Sequence, residues 1–233
     1  TVKVDPWPRA LLTSTRPLCH SAIQERRPGV VTAVEAYTGP RLSIVLPTFN
    51  QGRYLARAIA TTLTQTCGDF ELIIVNDGST DETRDILAQV SDPRVRVIHQ
   101  TNSRLPRALN RGFEAATGEY LTWISSDNLC APIFVEALVG ALDAHPDASL
   151  AVSSFAWIDD HDRIVRVHRD QDLTPRGFAT RNPGIAAFAY RRSAAKRAGI
   201  YDPALEGAED WDYVCRLADI GRLVHVPEVL CYY

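Results

Sequence analysis

Three short segments of this 233-residue chain place hydroxyls, amides and carboxylates directly after a run of apolar or β-branched residues. They are Pro47-Thr48-Phe49-Asn50, Asn76-Asp77-Gly78-Ser79-Thr80 and Ser125-Ser126-Asp127-Asn128. An ordinary turn would use glycine or proline, whereas these segments present polar atoms where a strand ends. Two of the three carry an aspartate. For residues 76–80 a ligand contact and a helix cap with a tight turn fit equally well, and Asp127 also suits the N-cap of a following helix. A fourth cluster, Gly207-Ala208-Glu209-Asp210-Trp211-Asp212, holds three acids, whose sign a helix N-terminus also favours. The histidines (His20, His99, His145, His161, His168 and His225) show no HxxxH or HExxH spacing, which argues against a histidine-bound zinc site. No Ser-His-Asp nucleophile arrangement is legible.

These segments need elements to hold them. LSIVL (42–46), FELIIV (70–75), VRVI (95–98) and EYLTWI (119–124) read as strands, each followed by a helical pattern. The first helix places Leu55, Ala58, Ile59 and Leu63 on one face. The second opens on the capping-box spacing Ser79-Thr80-Asp81-Glu82 and buries Ile86, Leu87 and Val90. The third carries Leu105, Ala108, Leu109, Gly112 and Phe113 and stops at Gly118, and the fourth starts at Ala131-Pro132. Strand-then-helix units repeated in this way predict a mostly parallel sheet with helices on both faces. In such sheets ligands sit outside the carboxyl ends of the strands, which is where the three polar segments fall. After Leu150 the rhythm changes: LAVSSFAWI and RIVRVH form a predicted hairpin around Asp159-Asp160-His161-Asp162, GIAAFAYRR (184–192) adds a strand, and a helix spans Glu209 to Ile220. Residues 1–40, with five of the 14 prolines and no sustained period, read as an extension of unassigned role.

Composition bounds the rest. A hydrophobic share of 45% against 23% charged is a globular mixture far from the disordered class. The net charge of -3 and the lack of a basic block argue against a nucleic-acid partner. Five dispersed cysteines without a CxxC pair suggest reduced thiols and a cytoplasmic setting, with a peripheral position at the inner membrane surface left open. No stretch approaches the roughly 20 apolar residues of a membrane span, and no secretory h-region is present.

Four segments, "SIVLPTFNQGRYLARAI", "FELIIVNDGSTDET", "ALNRGFEAATGEYLTWISSDN" and "GAEDWDYVCRLA", together resemble the inverting nucleotide-diphosphosugar glycosyltransferases of family 2, with the GT-A fold. The resemblance runs from about Leu42 to Tyr233. It implies an α/β nucleotide-binding sandwich over 41–233, divided into a nucleotide-binding half (41–130) and a mixed acceptor-side half (131–233). It further implies a UDP- or dTDP-sugar donor, a glycan, lipid-linked or other hydroxyl acceptor, and a Mn2+ or Mg2+ ion.

Residue by residue, Asp127 stands where the family's metal-binding DxD-like motif has its last carboxylate, with Ser125 and Ser126 where many members carry acids. That departure should weaken metal binding in the absence of nucleotide. Asp77 matches the aspartate that accepts the imide N–H of uracil or thymine. Pro47, Thr48, Phe49 and Asn50 follow the first strand where the family's chain wraps base and ribose, Ser126 offers a hydroxyl to the ribose, and Arg104 stands where relatives more often have glycine and some reach the nucleotide with an arginine. The ED pair falls on Glu209 and Asp210, with Asp210 as the expected base and Glu209 as the alternative. The rival reading is a nucleotide-sugar binding module without turnover.

Overall fold

The computed structural model of the chain describes residues 37–169, Gly177 and 185–233. Most of the N-terminal extension and of the 170–184 loop therefore lies outside the described residues. Strands β1 (Leu42–Thr48), β2 (Phe70–Asn76), β3 (Val95–His99) and β4 (Tyr120–Trp123) pair in the order β3-β2-β1-β4, all parallel. All seven residues of β1 are buried, as expected of a strand covered on both faces. Its pleat sorts side chains by face: Leu42, Ile44 and Leu46 join helices α1 (Gly52–Leu63) and α4 (Phe134–Ala144) in one core, while Val45 joins α3 (Leu105–Ala115) in the other. In β2, Leu72 and Ile74 divide from Ile73 and Val75 in the same way.

The second half extends the same sheet with mixed directions. β8 (Phe188–Arg191) runs antiparallel to β4 and to β6 (Ala148–Ile158), β9 (Arg222–Tyr232) runs parallel to β6, and the short β5 (Leu129–Cys130) closes the far edge antiparallel to β9. β7 (Ile164–His168) forms the expected hairpin with the end of β6, with Asp162 at φ 60 in its turn. Helices α5 (Arg192–Ala198) and α6 (Glu209–Ala218) follow β8. The described cysteines, Cys67, Cys130, Cys215 and Cys231, form no disulfide. No helix among the described residues is long and apolar enough to cross a membrane.

Several sequence expectations are corrected. Helix α2 spans only Thr83–Ala88, because Ser79 is not its cap: the Ser79 hydroxyl accepts from the Asn50 amide, and Asp81 Oδ1 accepts from Thr83 N at 3.1 Å. Leu87 is buried, whereas Ile86 and Val90 are only partly so. Gly118 is not a left-handed helix stop, since α3 ends at Ala115 and residue 116 is extended. A Cβ at Gly118 would stand 2.5 Å from Ser43 N, so glycine is there to let two backbones approach. Helix α4 starts at Phe134, after β9 has captured Leu129 and Cys130 as a strand and Ala131 N has bonded to the Leu230 carbonyl. Neither β5 nor β9 was anticipated from the sequence.

Candidate active site

The carboxyl ends of β1, β2 and β4 open onto one cavity of about 590 Å³, whose walls include Pro47, Thr48, Phe49, Asp77, Ser125 and Ser126 from the first half and Glu206 from the second. Parallel pairing explains the convergence: strands aligned in one direction deliver their loops to one edge. The loops after β1 and β2 are tied together. Asn50 Oδ1 accepts from Thr80 N at 2.8 Å, and the Asn76 side-chain carbonyl accepts from Ser79 N at 2.9 Å. Gly78, at φ +81, passes so near Asn102 that a Cβ would meet its backbone N at 2.7 Å. Asn50 is therefore a brace between loops and does not itself line the cavity.

Asp77 is buried, and its carboxylate organises the start of α3. Oδ1 accepts from Gln100 Nε2 at 2.7 Å and from Ser103 N at 2.8 Å, and Oδ2 accepts from Arg104 N at 2.9 Å. A carboxylate has about four acceptor positions, so one remains for a ligand N–H. Arg104, which also lines the cavity, sits at φ 71 and ψ 164. That region is nearly reserved for glycine and costs an arginine about 1–3 kcal/mol. Its guanidinium pairs with the Glu206 carboxylate.

At the end of β4, Asn128 N bonds back to the Ser125 carbonyl at 3.1 Å, forming a tight turn. Ser126 is buried, and Asp127 Oδ1 and Asn128 Oδ1 are enclosed without a hydrogen-bond partner among the described residues. The capping alternative for Asp127 fails, because α4 begins seven residues later with Ile133 at its cap. Asp127 faces a second cavity of about 480 Å³, bounded also by Arg57, Tyr54 and Asp160. An enclosed carboxylate oxygen without a donor fits a hard cation. No group of three or more His, Cys, Asp or Glu side chains among the described residues could hold an ion alone. The residues therefore fit Mg2+ or Mn2+ bound through one carboxylate, with phosphate oxygens and water completing the shell.

The acids of α6 separate by their partners. Glu209 is buried, and its Oε2 accepts from Gly207 N at 2.5 Å. Asp212 pairs with Arg216 four residues on, at 2.6 Å. Asp210 accepts from the adjacent Trp211 amide at 2.6 Å and from its own backbone N–H; burial raises its pKa above the ordinary carboxylate value, against the pull of those two amides. Asp210 and Glu209 do not line the first cavity, whereas Glu206, just before them, does. This end of α6 is anchored to α3. Asn110 accepts from Tyr201 N at 2.9 Å and donates to the Tyr201 carbonyl at 2.8 Å, while the Tyr201 ring stacks on Phe113 and Tyr213. Sequence reading missed Glu206 and Asn110. Their only signal was position: Glu206 lies just ahead of the ED pair, and Asn110 lies within the third matching segment.

Similarity to known proteins bears on the family and the fold. The profile described as glycosyl transferase family 2 matches residues 43–200. An uncharacterized glycosyltransferase of Nostoc sp. is 30% identical over 209 residues, covering 83% of this chain, and the chain in turn spans 64% of that relative's length. Among solved structures, S. aureus TarS 1-349 in complex with UDP-GlcNAc superposes with a TM-score of 0.72 at 20% identity, over 83% of this chain and 58% of that one. The mannosyltransferase PcManGT from Pyrobaculum calidifontis, in complex with GDP-Man and Mn2+, gives a TM-score of 0.65 at 21% identity, over 84% and 57%. These two structural likenesses bear on the fold and agree with the GT-A architecture expected. The family profile covers β2, β3, β4, all of β1 but Leu42, and both loop aspartates that face the cavities, so the chain belongs to glycosyl transferase family 2.

Proposed function

We propose that the chain transfers one sugar from a UDP- or dTDP-sugar to an acceptor hydroxyl, with inversion at the anomeric carbon, in the assembly of a bacterial polysaccharide or surface glycan. The observation that carries the reading is the cavity at the ends of β1, β2 and β4, with Asp77, Ser126 and Arg104 in one wall system. Family membership supplies the reaction class. The fourth acceptor position of Asp77 suits the imide N–H of uracil or thymine, Thr48 and Phe49 enclose base and ribose, and the Ser126 hydroxyl meets the ribose.

Inversion by direct displacement needs one carboxylate to take the acceptor's proton as the new C–O bond forms and the bond to the leaving phosphate breaks. Asp210 suits that role better than Glu209, because burial has raised its basicity against the pull of the backbone amides it accepts from. Glu209 is enclosed and engaged by Gly207. A divalent ion held by Asp127 would offset the charge on the departing diphosphate. The ion present with GDP-Man in PcManGT is consistent with such a site, and the same complex makes guanine the competing base.

The test is donor hydrolysis by the purified chain, together with thermal shift against UDP, dTDP, GDP and CDP, each with and without Mn2+. The reading expects slow UDP or dTDP release that Asp210→Asn abolishes, and a Mn2+-enhanced UDP shift that Asp127→Ala removes. Binding without any release would favour the module without turnover, and stabilisation by GDP alone would overturn the role given to Asp77.

A further inference from the structure

We infer that Glu206 acts on the donor site through Arg104: it is the resting counter-ion of that guanidinium, displaced when a nucleotide's phosphates arrive, and so is a positioning residue that sets how tightly the site holds a diphosphate. This rests on the donor reading above and extends it to a residue that the family's motifs do not assign.

Three observations support it. Among the described residues lining the donor cavity, the charged ones are Asp77, Glu206 and Arg104. An arriving diphosphate thus meets two carboxylates and a single guanidinium. Asp77 is already engaged by Gln100, Ser103 and the Arg104 backbone, so the charge balance of the mouth turns on whether Arg104 faces Glu206 or the ligand.

Second, the Arg104–Glu206 pair bridges 102 positions of sequence, and its side chains are 68% and 48% exposed. Ion pairs in water contribute little, whereas a diphosphate offers a guanidinium a charge-assisted, bidentate partner. Exchange therefore favours the nucleotide. When the nucleotide leaves, Glu206 takes the guanidinium back, which keeps a spent diphosphate from holding the site.

Third, Arg104 occupies a backbone conformation that glycine would adopt freely. The geometry holds an arginine there against strain, with its backbone N–H pinned to Asp77. A side chain retained under strain at a cavity mouth points to use of its charge.

The test measures UDP and uridine binding calorimetrically to the wild-type chain, Glu206→Gln, Arg104→Ala and the double variant, with Mn2+ present throughout. Glu206→Gln should tighten UDP about two- to fivefold and leave uridine unchanged, with the gain shrinking at high salt. In the Arg104→Ala background the same substitution should have little effect, since the residue it acts through is gone. Arg104→Lys, which keeps charge on the same backbone, should retain part of the gain and guards against an alanine variant that folds poorly. Equal tightening of UDP and uridine, no tightening of UDP, or an undiminished gain without Arg104 overturns the inference. A wild-type chain that binds neither ligand instead overturns the donor reading itself.

Discussion

The two halves of the sheet are built on different terms. In the first, β1 to β4 run parallel, each strand is followed within a few residues by its own loop, and the polar atoms that matter are held by neighbours in adjacent loops, as Asn50 holds Thr80 and Asp77 holds Ser103. In the second, β6 is paired by β7, β8 and β9, and α6 is held through Tyr201, which Asn110 and the Phe113 ring of α3 fix and which stacks on Tyr213. The comparison teaches a division of labour. The parallel half forms most of the first cavity's wall from its own loops, whereas the helix that carries the acids of the second half is anchored by contacts across the molecule. Arg104 and Glu206 join the two at the cavity mouth.

The sharpest test of that division is Asp210→Asn, which should lower donor hydrolysis by about 10²- to 10⁴-fold while leaving UDP affinity unchanged in calorimetry. A matching loss of UDP binding would break the separation of the halves. The same variant carries a pH signature. The folded pKa of Asp210 is raised by burial, so the folded state holds that proton more tightly than the unfolded one. Stability is thus lost as pH rises from the unfolded value through the raised folded value. Asp210→Asn should therefore raise the melting temperature near neutral pH, with the gain vanishing below the ordinary carboxylate range, as scanning calorimetry across pH would show.

Next in size, Leu46→Ala should cost about 2–5 kcal/mol in urea unfolding, since Leu46 is fully enclosed in the parallel half. A loss well under 1 kcal/mol would mean that the parallel half is less tightly packed than its burial implies. Asp77→Ala removes a carboxylate that satisfies two backbone N–H groups, at about 1–3 kcal/mol for each left without a partner. UDP binding should fall with stability, and a drop in binding alone would assign Asp77 wholly to the ligand.

The smallest effect has the opposite sign. Arg104→Gly relieves a strained backbone and should stabilise the fold by roughly 1 kcal/mol once the greater freedom of unfolded glycine is subtracted. It should also weaken UDP binding. Stabilisation without loss of affinity would leave the strain at Arg104 unexplained.

The parallel half was largely legible because its information is local. Strands such as LSIVL and FELIIV announce themselves as continuous apolar runs, their loops follow directly, and parallel order gathers those loops at one edge. Misreadings arose where a side chain was claimed by a distant partner. Ser79 looked like a helix cap until Asn50 took its hydroxyl. Gly118 looked like a helix stop, yet the β1 backbone at Ser43 is what requires it. Leu129 and Cys130 looked like an approach to a helix but were drawn into a strand by residues a hundred positions later. The strand β9 itself, RLVHVPEVLCY, carries a proline and exposed charged positions, which hid its pairing with β6.

What the amino-acid order determined by itself was the alternation of strand and helix, the polar types at each strand end and, through its motifs, the family. What only the tertiary structure decided was which of those polar atoms remain free. Among the described residues, Glu209 and Asp212 find side-chain or loop partners and Asp210 accepts from backbone amides, Asp127 keeps an oxygen without a donor, and Arg104 pairs with Glu206 at the cavity mouth. The reason is physical: periodicity and capping act over a few residues along the chain, whereas desolvation, charge pairing and hydrogen-bond satisfaction depend on whatever folding brings within a few ångströms.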